Sequence, residues 1–215
     1  MARPEQKLTC TVEEYLELER KSDERHQFVD GEIYEMAGET LAHSQITANW
    51  GIAIGFRLRG KRCQVLSPNM KIRSGPYVDG KRNTKGLFSY ADVMVVCGEP
   101  RFHDKEKDVL LNPTVLIEVL SPSTADFDRG GKFFRYRQWI DTLVDYIVAS
   151  QTAPLIEHYQ RQPNGTWLLT QIEGLDATLQ LASIDCHLKL SEIYDRVEFP
   201  PPELLAEAEE TGAIS

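Results

Sequence analysis

The chain has 215 residues, of which 41% are apolar and 27% charged, a globular composition that argues against a disordered chain. This length favours one well-filled domain over residues 1–199, with an acidic tail over residues 200–215. No apolar run approaches the about 20 residues that cross a bilayer, and the N-terminus lacks the apolar segment of a secretory signal. We therefore expect a cytoplasmic protein that makes no membrane contact.

The formal net charge of −9 argues against indiscriminate binding to nucleic acid, but the charge is unevenly distributed. Between residues 51 and 90 a single acid, Asp79, faces a set of basic residues: Arg57, Arg59, Lys61, Arg62, Lys71, Arg73, Lys81, Arg82 and Lys85. A basic patch on an acidic body can steer a polyanion to one face. The same residues could equally be a solvated helix end followed by charged hairpins, and both interpretations stay open.

The N-terminal half begins with a predicted helix, because Thr11 and Glu14 have the spacing of a capping box. Asp30-Gly31 lies between two β-type runs and indicates a hairpin. From Leu41 to Arg59, apolar residues recur every four positions, which predicts an amphipathic helix. Two strands around CQVLS and MKIRS follow, and residues 74–89 are expected to form an exposed, mobile loop.

The next segments predict a strand over 90–97, a strand over 114–120, a helix from Asp128 to Ile140 and a strand in TLVDYIVAS. A last hairpin is predicted to turn at Asn164-Gly165. The core order is helix, strand, strand, strand, helix, strand. It predicts one α/β domain with a central mixed sheet and added β-hairpins.

The four cysteines, Cys10, Cys63, Cys97 and Cys186, lack the spacing of a metal site or a redox motif. Since disulfides are rare in the cytosol, we expect all four to be reduced.

Two apolar strands each carry one acid, Asp92 in YADVMVVC and Glu118 in TVLIEVL. Adjacent strands lie about 4.8 Å apart, so these carboxylates can converge on one point. Uncompensated burial of like charges is costly, and a divalent cation removes that cost. Alternatively, each acid sits at a strand end, exposed or bonded to a backbone amide. The pair together favours a site for Mg²⁺ or Mn²⁺, which prefer oxygen ligands.

Lys132 lies one turn into the helix that follows Glu118, where its ammonium could reach the metal-bound water or a scissile phosphate. Gly130 and Gly131 precede it and would allow a close backbone approach. The spacing is not that of a phosphate loop, and Phe133 replaces the required Ser or Thr, so no nucleotide cofactor is expected.

The acids and the element order resemble the PD-(D/E)XK nuclease superfamily, which implies a restriction-endonuclease-like core. More narrowly, FVDGEIYEMAG, HSQITANW, YADVMVVCG and IEVLSPSTADFDRGGKFFRYR resemble the Uma-two family of restriction-endonuclease-like proteins. The resemblance covers residues 8 to 198. It implies an endonuclease that hydrolyses phosphodiester bonds in DNA, with a homodimer as the expected assembly. In that case we expect the basic stretch over residues 57–85 to contact the DNA backbone.

The resemblance implies that Asp92 and Glu118 bind the metal ion and that the backbone carbonyl of Val119 joins them. The superfamily's lysine stands two positions after the glutamate, where this chain has Leu120. Lys132 is similar to the migrated lysine of some branches, so catalysis is less firmly implied than metal binding.

Two further residues match family motifs and are candidates for the site. Glu32 could approach the metal ion or position water, but could also be a surface acid. His43 could line the site or contact phosphate, although a histidine at a helix start is often a cap or packing residue.

Two other functions stay open. A catalytically inactive nucleic-acid-binding module would keep DNA affinity that depends on salt and show no metal-dependent cleavage. A protein-interaction protein of the same fold would have no measurable DNA affinity.

Overall fold

In the computed structural model, which describes residues 10–36, 38–77, 82–121 and 124–201, short strands are interspersed with a few helices. In chain order the elements are α1 (Val12–Glu19), β1 (His26–Val29), β2 (Glu32–Glu35), α2 (Leu41–Leu58), β3 (Cys63–Leu66), β4 (Lys71–Ser74), β5 (Leu87–Tyr90), β6 (Val93–Cys97), β7 (Val109–Leu110), β8 (Val115–Val119), α3 (Ala125–Phe127), a π-helical turn (Asp128–Lys132), α4 (Phe133–Trp139), β9 (Asp145–Ala149), β10 (Leu155–Arg161), β11 (Trp167–Glu173), β12 (Thr178–Leu181), a 3₁₀ turn (Ala182–Ile184), β13 (Cys186–Lys189) and α5 (Leu190–Ile193).

The central sheet has six strands in the order β11-β10-β9-β8-β6-β3. Strands β8 and β9 are parallel, and the other pairs are antiparallel. The parallel pair is joined by the helical segment from α3 to α4, because parallel neighbours need a long crossover. The predicted helix–strand–strand–strand–helix–strand order is present in α2, β3, β6, β8, α4 and β9. The sheet is mixed, as expected.

A second sheet has five strands in the order β2-β1-β5-β4-β7. The predicted Asp30-Gly31 hairpin is present, and both turn residues have positive φ, 49° and 96°, as a two-residue hairpin turn requires. The prediction of an exposed loop over residues 74–89 is wrong at its end. Leu87 and Phe88 are fully buried in β5, because their apolar side chains pack into the core. Residues 78–81 of that segment lie outside the described residues.

The central sheet is covered on both faces. Odd-numbered side chains of β6 and β8, such as Val95 and Ile117, pack against α2. Even-numbered ones, such as Met94 and Leu116, pack against α4. Because side chains alternate along a strand, Glu118 belongs to the α4 face with Leu116.

The expectation of four reduced cysteines is wrong for two of them. Cys63 and Cys97 stand directly opposite each other in the β3–β6 register and form a disulfide. Their 34-residue separation gave no sequence signal of this pairing. Cys10 and Cys186 are free thiols.

No helix within the described ranges is long and apolar enough to cross a membrane. The acidic tail predicted over residues 200–215 falls outside the described residues from residue 202 onward, and the single-domain assignment over residues 1–199 stays a prediction.

Candidate functional site

A cleft of about 690 Å³ opens where the two larger sheets meet. The β1–β2 hairpin contributes Gln27 and Tyr34 to its lining, and the start of α2 contributes His43. The chain between β5 and β6 contributes Asp92, and the end of β8 contributes Glu118. The cleft therefore brings together residues from both sheets and from the segment that precedes α4.

Asp92 lies in the short link where the chain passes from β5 in one sheet to β6 in the other, so the predicted strand over 90–97 is interrupted there. Its Oδ2 accepts a 2.6 Å hydrogen bond from the backbone N–H of Val119. The sequence left open that each acid is bonded to a backbone amide, and this is the case for Oδ2 of Asp92. Within the described residues, Oδ1 of Asp92 accepts no hydrogen bond, so one oxygen of the carboxylate is left for a ligand.

Glu118 lies one residue beyond the Val93–Ile117 pair of the antiparallel β6–β8 register, which places it opposite Asp92. The two residues are called the acid pair below. Glu118 is only 3% exposed. Burial, offset in part by Lys132, raises the pKa of Glu118 well above its usual range. Its Oε1 is buried and has no hydrogen-bond partner in the described residues.

Lys132 projects from the π-helical turn toward Glu118 and is 5% exposed. Its Nζ lies 2.9 Å from Oε2 of Glu118 and 3.1 Å from Oδ1 of Asp128, and it donates to the carbonyl of Tyr90 at 3.2 Å. Burial by itself lowers the pKa of Lys132, but the Asp128 and Glu118 carboxylates outweigh it and raise the pKa well above its usual value. The lysine is therefore a charged group whose three N–H donors all have acceptors.

His43 lies in the first turn of α2, with its Nε2 3.3 Å from Oδ2 of Asp92. Its Nδ1 lies 3.7 Å from Glu39. Burial by itself lowers the pKa of His43, but the hydrogen bond and the negative charge of Asp92 outweigh it, so the pKa is raised. The structure thus brings His43 to the acid pair.

The acid pair fits a hard divalent cation. Oε1 of Glu118 is buried without a partner among the described residues, and an unpaired buried carboxylate oxygen calls for compensation. Oδ1 of the half-buried Asp92 is left free by the Val119 hydrogen bond, which uses Oδ2. Within the described part of the chain, no set of three or more His, Cys, Asp or Glu side chains is arranged to hold a metal ion by itself. Mg²⁺ commonly uses only one or two carboxylates and keeps several waters. Val119 directly follows Glu118, and its backbone carbonyl stays the predicted third ligand.

Glu32 is not among the residues that line the cleft. Its carboxylate accepts a hydrogen bond from the hydroxyl of Tyr34, which does line the cleft. The structure thus places Glu32 one contact away from the cleft and does not bring it to the acid pair.

The basic stretch over residues 57–85 is only partly available to a nucleic-acid backbone, and its contact with DNA stays a prediction. Lys71 and Arg73 are buried, at 6% and 7% exposure, and cannot reach a nucleic-acid backbone. Arg57 and Lys61 are engaged in ion pairs with Glu192 and Asp185. Lys81 lies outside the described residues. The exposed basic residues of the stretch include Arg59, Arg62, Arg82 and Lys85. Charge counting overestimated the patch only at the buried and paired residues.

Asp128 and Arg25 are among the cleft residues that sequence reasoning missed. Asp128 is 4% exposed and binds Lys132; the only sequence signal was its position four residues before the lysine. Arg25 lines the cleft, with its guanidinium 5.7 Å from the centre of the Tyr90 ring. No motif distinguished Arg25 from other arginines.

A profile of the Uma2 family, described as "Putative restriction endonuclease", matches residues 12–191. Two similar proteins come from Synechocystis. The uncharacterized protein sll1609 is 31% identical over 172 residues, which cover 80% of this chain and 92% of that protein. The uncharacterized protein slr1290 is 34% identical over 187 residues, which cover 87% of this chain and 92% of that protein.

Among solved structures, the fold is similar to that of a crystal structure from Anabaena variabilis described as "a putative nuclease belonging to DUF820". The TM-score is 0.67, the sequence identity is 15%, and the match covers 87% of this chain and 99% of that chain. At this identity the likeness concerns the fold alone, and it confirms the predicted restriction-endonuclease-like core.

Proposed function

We propose that this chain is a metal-dependent endonuclease that hydrolyses phosphodiester bonds in DNA. The chain belongs to the Uma2 family, whose description is "Putative restriction endonuclease". The observation that carries the proposal is the acid pair, in which Asp92 and Glu118 face each other across β6 and β8 with one unpartnered oxygen each. A cleft with converging polar groups is the usual setting of a catalytic site, and the acid pair lies inside such a cleft.

The residues that would hold Mg²⁺ or Mn²⁺ are Asp92, Glu118 and the backbone carbonyl of Val119. A cation bound there supplies an activated water and neutralises charge on the phosphate. The protein's own part is to fix the two carboxylates. The Val119 N–H and His43 hold Oδ2 of Asp92, while Lys132 holds Oε2 of Glu118.

Among the described residues that line the cleft, the lysine and arginine side chains are those of Lys132 and Arg25. Since the N–H donors of Lys132 already have acceptors, the lysine can contact a phosphate only if it releases one of them. Arg25 is less confined, because its side chain is 36% exposed and its ion pair with Glu39 is long, at 3.7 Å. We therefore assign the first contact with the substrate phosphate to Arg25.

The test is nicking of supercoiled plasmid DNA at low salt with no metal, Mg²⁺ or Mn²⁺. The variants are Asp92→Asn and Glu118→Gln, with Asp126→Asn as a control acid outside the cleft lining. We expect metal-dependent cleavage in the wild type and the control, and a loss of at least about 100-fold in the two site variants. Equal cleavage by all four proteins would refute the site.

A parallel Mn²⁺ titration by calorimetry covers the case of a sequence-selective enzyme that lacks its target in the plasmid. Mn²⁺ binding that disappears in both site variants supports the proposal without cleavage. DNA binding without metal binding would instead favour the catalytically inactive nucleic-acid-binding module. Absence of both would favour a protein-interaction protein.

A further inference from the structure

Asp128 is a buried acid that the proposed function leaves without a role. It is 4% exposed, lines the cleft and lies 3.1 Å from the ammonium of Lys132. The π-helical turn over Asp128–Lys132 begins with this acid and ends with the lysine. The hydroxyl of Tyr146, from β9, donates a 2.8 Å hydrogen bond to the Asp128 carbonyl and fixes the start of the turn.

Asp128 is not needed to neutralise Lys132 within the fold. Glu118 lies 2.9 Å from the same ammonium and would be sufficient as a counter-ion. A second buried carboxylate next to Glu118 costs free energy, because like charges in a poorly solvated site repel each other. Such a costly arrangement needs compensating positive charge. Lys132 contacts both Glu118 and Asp128, while His43 lies beside Asp92 on the other side of the cluster.

The charge balance of the cluster explains why Lys132 has a second carboxylate, that of Asp128, beside that of Glu118. With all three acids ionised, Asp92, Glu118 and Asp128 outnumber Lys132 by two charges, and a protonated His43 beside Asp92 offsets one of them. A cation bound at the acid pair supplies the positive charge that is still missing. Without Asp128, Lys132 would be neutralised at the expense of Glu118, and the acid pair would offer the cation one negative charge fewer.

We propose that Asp128 is a positioning residue: it neutralises Lys132, so that the lysine can hold one oxygen of Glu118 while the acid pair keeps the charge that binds the cation. This inference rests on the proposed metal site. It makes Asp128, the π-helical turn and Lys132 one unit that supports Glu118. Partners behind a metal ligand commonly change metal affinity by about 10- to 100-fold when removed.

The experiment measures Mn²⁺ affinity by calorimetry in the full chain, with thermal unfolding of each variant as a check of folding. Asp128→Asn is expected to weaken Mn²⁺ binding by about 10- to 100-fold. The double variant Asp128→Asn with Lys132→Met removes one charge of each sign, so it is expected to recover part of that loss; the rest reflects the lost contact between Lys132 and Glu118. Asp145→Asn is the matched control, since Asp145 is equally buried but pairs with His158 and does not line the cleft.

A purely structural role for Asp128 would lower the unfolding temperature of Asp128→Asn, as in the control, and leave Mn²⁺ affinity unchanged; this result overturns the inference alone. A double variant that binds Mn²⁺ as weakly as Asp128→Asn overturns the charge argument. Thermal unfolding separates misfolding from lost affinity in both variants, because Lys132→Met also removes the ammonium partner of the buried Glu118. Wild-type protein that binds no Mn²⁺ would overturn this inference together with the proposed metal dependence.

Discussion

At the scale of single residues, Arg25 is the side chain that we expect to meet a substrate phosphate. Arg25→Ala should weaken DNA binding by about 10- to 100-fold, because a charged hydrogen bond contributes about 1.5–3 kcal/mol. It should also reduce the slope of log affinity against log salt by about one unit. Fluorescence anisotropy with labelled DNA at several salt concentrations measures both quantities.

Lys61→Ala is the matched control for Arg25→Ala. Lys61 belongs to the basic stretch singled out by the sequence, but it pairs with Asp185 and does not line the cleft. We expect DNA affinity and its salt dependence to stay at the wild-type values. Equal losses in the two variants would contradict the assignment and return the contact surface to the basic stretch.

Asp108 gives a residue-level prediction about pH. Hydrogen bonds from Arg20, together with Lys71, lower the pKa of Asp108 to about 2. A carboxyl group with a lowered folded-state pKa stabilises the protein above its unfolded pKa of about 3.9, and this contribution is lost as the pH falls toward 2. Asp108→Asn should therefore destabilise the fold at neutral pH, and its difference from the wild type should shrink between about pH 4 and pH 2.

Urea unfolding across that pH range checks the Asp108 prediction. Glu17→Gln is the control, because Glu17 forms only an exposed pair with Lys21 and should change stability little at any pH. A constant difference between Asp108→Asn and the wild type down to pH 2 would show that the carboxylate charge is not the cause.

At the scale of elements, the π-helical turn makes a prediction through its two adjacent glycines. A Cβ at Gly130 would meet no atom within 4 Å, whereas a Cβ at Gly131 would lie 3.0 Å from the ring of Phe127. Gly130→Ala should raise the free energy of unfolding by about 0.5–1 kcal/mol, because alanine favours a helical backbone. Gly131→Ala should lower it, because Phe127 must shift. Denaturant unfolding of the two variants tests the opposite signs, and a stabilised Gly131→Ala variant would contradict the contact with Phe127.

Much at the element scale could be predicted from local pattern. The capping box at Thr11, the Asp30-Gly31 turn and the α2 periodicity are short-range signals, and the structure confirms all three elements. Glu118 was conspicuous because a charge stood alone in an apolar strand. Strand β5 was missed, since a four-residue strand after a polar, glycine-rich segment has little periodicity of its own.

The part of the site that sequence could not predict depends on contacts between distant segments. The hydrogen bond from Val119 to Asp92 joins residues 27 positions apart, and that between Lys132 and Tyr90 spans 42. No local pattern encodes such distances. Asp128 was overlooked for a related reason, because on a solvated helix an acid four residues before a lysine is an ordinary surface pair.

At the scale of the whole molecule, α2 has an outer face that the fold does not use. Ile52 and Phe56 are each 70% exposed there. Gly51 and Gly55 lie beside them, and a Cβ at either glycine would meet no atom within 4 Å, so packing within the described chain does not explain them. Each glycine costs the helix about 1 kcal/mol relative to alanine. An exposed apolar patch of this kind is typical of an interaction site.

We expect this face to meet a second copy of the chain, which would provide the homodimer that the family resemblance implies. Replacing Gly51 and Gly55 together by alanine then has opposite effects on two measurements. Light scattering should show a shift from dimer to monomer, because the added methyl groups keep the second helix away. Unfolding of the monomer should require more denaturant, because alanine stabilises α2. A wild-type protein that is monomeric at high concentration would contradict the dimer. A variant that remains dimeric would place the interface elsewhere, since a helix packed closely against these glycines cannot admit two new methyl groups without moving apart.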